Sequence, residues 1–169
     1  MRRVPDSGDE KASLWTALDR HRDVVVWKAQ GLADDDLRRP MTPSGTSLLG
    51  LVQHLAAVEY GWFAETFGHE VEPPPFGDDP EADMRVAPHV PAADVLAYYA
   101  RARASSDEVV RRVGLADTGR SDSGRVVTLR WVLVHMIEET CRHAGHMDIV
   151  RELIDGSIGD FEEFAGTAG

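Results

Sequence analysis

LRWVLVHMIEETCRHAGHMDIVRELI, residues 129–154, is the stretch that decides the fold. Thr128 can cap the free amide groups at its start, and Gly156 is a typical stop at its end. The first half of the stretch is apolar on every side, with Trp131, Val132 and Leu133 among its residues. This pattern predicts a helix at the centre of a bundle.

Three further segments show helical periodicity. The first runs from about 13 to 31, the second from 48 to 68 with Thr46 or Ser47 as its cap, and the third from about 92 to 113. No β-branched run is long enough to build a sheet, and the pair Val126-Val127 is too brief. We therefore expect an all-α protein, a four-helix bundle.

The chain fits one domain over residues 1–169, with residues 1–12 as a flexible N-terminus. Between the second and third helices lies VEPPPFGDDPEADMRVAPHVP, residues 71–91, in which prolines exclude helix. We expect an ordered loop that packs on the bundle and walls a site.

Charge and composition exclude several classes of partner. The chain has 169 residues with 18 basic and 29 acidic side chains, a formal net charge of −11, which argues against nucleic-acid binding. No run of 18 apolar residues and no apolar stretch behind Arg2 and Arg3 is present, so we expect neither a membrane span nor a signal peptide. The single cysteine, Cys141, suits a cytoplasmic location.

A polar stripe interrupts the apolar face of the last predicted helix. At about 100° per residue, His135, Glu139, His143 and His146 share an arc of about 80°. Groups of this kind on a buried face must be paired, hydrogen-bonded or metal-bound. Cys141 lies about 200° from Glu139 around the helix, so we expect it to be a small packing residue.

The second predicted helix supplies a partner for this stripe. His54 lies beside its apolar positions, and Gly50 and Gly61 are expected to leave space around the imidazole. A Glu-x-x-x-His pair on one helix and a histidine on another can hold Zn²⁺ or Ni²⁺ with one coordination position open. Our preferred metal ligands are His54, Glu139 and His143.

The other histidines have different expected roles. His135 and His146 are candidate catalytic residues: either can replace His143 as a ligand, orient Glu139, or transfer a proton. His21, His69 and His89 are more typical of structural or surface histidines. Trp62 and Trp131 fall at spacings typical of core packing.

Two stretches carry a family resemblance. TSLLGLVQHLAAVEYGWF (46–63) and HMIEETCRHAGHMDIVRELIDG (135–156) resemble the DinB-like superfamily, in particular its actinobacterial branch related to mycothiol-dependent maleylpyruvate isomerase. The resemblance extends over nearly the whole chain, including residues 17–45. It implies an up-down-down-up bundle that holds a divalent metal ion through His54 and an i, i+4 pair ending at His143. Many members have a histidine where this chain has Glu139, and the isomerase branch has a glutamate there.

The resemblance also implies a chemistry. It suggests an S-transferase or isomerase that uses a low-molecular-weight thiol such as mycothiol and a small-molecule substrate. A metal-dependent hydrolase would use the same ligands, and a non-catalytic metal-binding bundle, in a homodimer for example, is also open. Sequence alone leaves these three alternatives unresolved.

Overall fold

The computed structural model describes residues 8–75 and 82–158, which are mostly helical, as expected. The helices are α1 (Glu10–Ala29), α2 (Asp34–Arg38), α3 (Leu48–Glu59), α4 (Ala92–Arg112) and α5 (Leu129–Asp155). A π-helical segment, Tyr60–Glu65, continues α3 without a break. The four long helices match the four predicted segments, and the short α2 was not predicted.

Helix ends follow the predicted caps. Ser47 and Thr128 accept hydrogen bonds from the backbone amides of Gly50 and Trp131, respectively. Gly156 closes α5 with φ 75°, a left-handed conformation that glycine adopts without strain. At the other terminus Asp9 caps α1, so residues 10–12, which we predicted to be flexible, are helical; residues 1–7 lie outside the described part of the chain.

A two-stranded sheet corrects the prediction that residues 126–127 form no strand. Strand β1 (Thr118–Arg120) pairs antiparallel with β2 (Val126–Thr128), with Gly119 opposite Val127. Three-residue strands are marginal alone. Here the backbone amide of Arg120 also donates to the carbonyl of Thr66 at 2.9 Å, so contacts with the end of the π-helical segment support the hairpin.

Ion pairs at both ends of the molecule orient α1 and α5. Arg130 at the start of α5 pairs with Glu10 at the start of α1. At the other end, Lys28 of α1 pairs with Asp148 of α5 at 2.8 Å. The two helices therefore run parallel.

The bundle interior contains a charged group as well as two apolar clusters. Arg22, fully buried on α1, donates from Nε to Glu59 at 2.6 Å and from Nη1 to Asp107 on α4 at 2.9 Å. Glu59 is 1% exposed. Burial lowers the pKa of Arg22, but the neighbouring carboxylates outweigh it, and the pKa lies above its ordinary value. Three helices are thus joined through one guanidinium group.

Helix α5 is less enclosed than its composition predicts. Trp131 is 36% exposed and Val134 41% exposed, so the first half of the helix is not surrounded by the bundle and Trp131 is not a core residue. Its indole packs at the surface against Trp62, with ring centroids 5.2 Å apart, and the guanidinium of Arg125 covers it. Across the described residues, no helix combines the length and hydropathy that crossing a bilayer requires.

Candidate metal centre

Three predicted ligands converge between α3 and α5. One donor atom each from His54, Glu139 and His143 lies within 4.8 Å of the other two. His54 Nε2 lies 3.2 Å from Glu139 Oε1, and His143 Nε2 lies 3.0 Å from the same oxygen. The side chains are 18%, 25% and 13% exposed, respectively, so the cluster is largely screened from water but still reachable.

The spacing of the residues explains this convergence. Glu139 and His143 are one turn apart on α5, where i, i+4 side chains lie on the same face. His54 comes from α3, and its ring meets that of His143 edge to face, with centroids 4.8 Å apart. Helical periodicity therefore explains why Glu139 and His143 face His54, whereas the structure is what separates them from His135 and His146 on the same stripe.

Asp83 is a fourth member of the cluster that the sequence did not reveal. His54 Nδ1–H donates to Asp83 Oδ2 at 2.6 Å. A carboxylate in this position fixes the tautomer and the orientation of a ligating histidine, and leaves its Nε2 lone pair free for a metal ion. Asp83 belongs to the part of the proline-rich loop after residue 81, and this part packs on α3 as expected; residues 76–81 of the loop lie outside the described part of the chain.

Two contacts hold this part of the loop on α3. The side-chain amide of Gln53, only 1% exposed, donates to the carbonyls of Ala82 and Asp83 at 3.0 Å each. A Cβ on Gly50 would overlap the carbonyl oxygen of Met84. Gly50 therefore makes room for the loop backbone, which corrects the prediction that it leaves free space around His54.

The electrostatics of the cluster are tightly linked. Burial lowers the pKa of His54, but Asp83 and Glu139 outweigh it, so the pKa lies above its ordinary value. Burial raises the pKa of Glu139, but His54 and His143 outweigh it and the pKa is lowered. Burial and the neighbouring His54 lower the pKa of His143. The cluster thus favours a protonated imidazole at His54, beside Glu139, and disfavours a second one at His143.

The donor set fits a divalent metal ion. With its Nδ1–H directed at Asp83, a neutral His54 turns the lone pair of Nε2 toward the carboxylate of Glu139. Two acceptors 3.2 Å apart repel unless a cation lies between them. Either a proton or a metal ion satisfies this requirement, and two imidazoles with one carboxylate are a common ligand set for Zn²⁺ and similar ions.

His146 and His135 lie outside this group of three donors. His146 is exposed, and its ring lies 5.3 Å from that of His143. His135 stacks on Trp131 at 4.9 Å and contacts Trp62 edge to face at 4.7 Å. His146 is thus open to solvent beside the cluster, and His135 is half-buried against two aromatic rings.

Cys141 and three other histidines, His21, His69 and His89, do not belong to the donor cluster. Cys141 is exposed and lines a cleft between α1 and α5 together with His21, so it is not the packing residue that we expected. His89 is exposed and His69 is half-buried, and both were expected to be structural or surface residues.

Fold and donor set together define a helical protein with a two-histidine, one-carboxylate cluster between two helices. The family model described as mycothiol-S-transferase matches residues 13–156, and the chain belongs to that family, which is DinB-like as the resemblance indicated. A crystal structure titled "conserved protein of locus from Enterococcus faecalis" is similar in fold, with a TM-score of 0.64 and 17% identity, covering 89% of this chain and 100% of the other. No curated protein matches the chain.

Proposed function

We propose that this protein is a metal-dependent S-transferase that conjugates a low-molecular-weight thiol, mycothiol first among them, to a small electrophilic substrate. The observation that carries the proposal is the convergence of His54, Glu139 and His143, whose donor atoms lie within 4.8 Å of one another, in a chain of the mycothiol-S-transferase family. These three residues would hold the metal ion, for which Zn²⁺ or Ni²⁺ suits the donors.

The residues of the cluster have separate tasks. A divalent ion held there supplies Lewis acidity, which lowers the pKa of a coordinated thiol. Asp83 holds the ring of His54 so that Nε2 is directed into the cluster. His146, beside His143 and open to solvent, accepts the proton that the thiol releases and passes it to water. The thiolate sulfur then forms the new bond to the electrophilic carbon of the substrate while the bond from that carbon to its leaving group breaks, and the leaving group departs with the electron pair of that bond as an anion, such as the bromide of a bromobimane.

Two further properties belong to the proposal. The first is an up-down-down-up order of α1, α3, α4 and α5, which the parallel pairing of α1 and α5 supports. It is also supported by the antiparallel direction of α3 and α5: His54 contacts Glu139, whereas Trp62, later in the chain, contacts Trp131, earlier in α5. A cytoplasmic location is supported by the exposed free thiol of Cys141, which a reducing compartment would preserve.

A thiol panel tests the proposed activity. Metal-loaded protein is incubated with mycothiol, bacillithiol or glutathione and a bimane electrophile, and the S-conjugate is quantified. We expect mycothiol-dependent conjugation that is lost in His143→Ala and Glu139→Gln and retained in His89→Ala, the matched control on the surface. His146→Ala is expected to retain the metal and to slow conjugation most at low buffer concentration, with partial recovery on adding imidazole.

Other outcomes would favour the alternatives. Ester hydrolysis that needs the metal but no thiol would contradict the transferase and favour a hydrolase, because the same ligands would then activate water. Tight metal binding with no turnover in either assay would favour a structural metal site.

A further inference from the structure

A second binding feature lies beside the donor cluster. A cavity of about 370 Å³ opens between the end of α3 with the π-helical segment that follows it and the turn of the hairpin at residues 121–123. Ala57, Val58, Gly61 and Trp62 supply its apolar lining, which we call the floor. The volume is within the range of small-molecule sites, roughly 300–1,000 Å³.

The cavity is on the same side of the bundle as the donors. Ala57 and Val58 follow His54 by three and four residues, so they lie one turn further along the same face of α3. From α5, the ring of His135, one turn before Glu139, contacts Trp62 on the cavity floor. A molecule with its sulfur at the donors can therefore extend into this cavity.

The polar rim of the cavity is acidic. Glu65 and Asp122 line it, and neither carboxylate has a hydrogen-bond or ion-pair partner in the part of the chain that the structure describes. The carboxylate of Glu65 lies over Gly61, with Oε2 3.9 Å from where a Cβ would be. The hydroxyls of Ser121 and Ser123, 3.0 Å apart, complete the rim.

This combination selects one class of ligand. Carboxylates accept hydrogen bonds strongly from hydroxyl groups and repel other carboxylates. A sugar or cyclitol presents many hydroxyl donors and apolar C–H faces that suit a floor of this kind. A peptide thiol such as glutathione would bring carboxylates against Glu65 and Asp122.

We infer that this cavity binds the uncharged, polyhydroxylated part of the thiol cosubstrate, and that Glu65 and Asp122 select it over carboxylate-bearing thiols. The inference rests on the proposed function for its choice of cosubstrate. It adds a specificity site that lies apart from the metal ligands and that sequence periodicity alone does not indicate.

Ligands with a blocked sulfur test the cavity separately from the metal. S-methylmycothiol and S-methylglutathione are titrated into metal-free protein, and binding is followed by calorimetry. We expect the sugar-bearing ligand to bind about tenfold more tightly, and Asp122→Asn and Glu65→Gln each to weaken it by about three- to tenfold. Neither variant weakens S-methylglutathione, because removing an acidic charge relieves its repulsion. Asp35→Asn, an exposed carboxylate on α2, is the charge-matched control and changes nothing.

Each negative result has its own meaning. Equal affinity of the wild type for the two ligands, or unchanged affinity in both variants, would overturn the cavity inference and leave the transferase proposal standing. If the blocked ligands behave as expected but intact mycothiol gives no conjugation in the thiol panel, the transferase proposal fails while the binding site remains.

Discussion

Asp83→Asn is the substitution that best tests how the donor cluster is built. The substitution keeps the size of the side chain and removes its charge. Of the three proposed ligands, the Asp83 carboxylate is hydrogen-bonded to His54 alone. The proposed metal ligands stay intact, and only the carboxylate behind His54 changes. Any loss of metal affinity then reports on the orientation and basicity of His54.

The expected loss follows from the contact. Removing a partner behind a ligating histidine typically costs about 10- to 100-fold in metal affinity. The contact is short, 2.6 Å, but the Asp83 side chain is 28% exposed, so water can replace part of the interaction. We therefore expect the lower end of the range, about tenfold or ~1.4 kcal/mol.

Competition with a chromophoric chelator, for Zn²⁺ and Ni²⁺ in parallel, measures this affinity. Gln53→Ala releases the loop backbone without changing Asp83, so it should also lower metal affinity, by no more than Asp83→Asn. Asp35→Asn provides the control for a lost negative charge. An affinity of Asp83→Asn within twofold of the wild type, with an unchanged circular dichroism spectrum, would refute the role of Asp83.

Three other results are expected. Gly50→Ala should destabilise the fold by about 1–3 kcal/mol in thermal denaturation, since its methyl group meets loop backbone, whereas Gly145→Ala, with open space around its Cβ, should be neutral or stabilising. Arg22→Ala should cost about 3–5 kcal/mol in chemical denaturation because it leaves the buried Glu59 without its partner, and a loss below 1 kcal/mol would contradict this account. Metal occupancy, measured by elemental analysis after dialysis, should fall as pH drops through about 6.5, since protonated imidazoles cannot coordinate; constant occupancy down to pH 4 would exclude histidine ligands.

The parts of the structure that local pattern controls could be predicted. Thr128 and the pair Thr46 and Ser47 were recognised as candidate caps because their hydroxyls precede apolar runs, and the structure selects Ser47 from the pair. His54, Glu139 and His143 were grouped because helical periodicity places them on facing stripes. The hairpin was missed because its strands depend on a tertiary contact with Thr66, which no local pattern carries.

Asp83 was missed for a related reason, yet its neighbours on α3 left a signal. The loop position of Asp83 has no periodicity, and nothing local ties it to a helix residue 29 positions earlier. Gln53, however, is a polar amide between Val52 and His54 on an otherwise apolar helix, and it is buried. An apolar residue there would leave the carbonyls of Ala82 and Asp83 without their donor, at a cost of about 1–3 kcal/mol for each buried group. A buried amide beside a candidate metal ligand thus indicates a backbone segment held against the helix, and the residues of that segment are where a partner for the ligand should be sought.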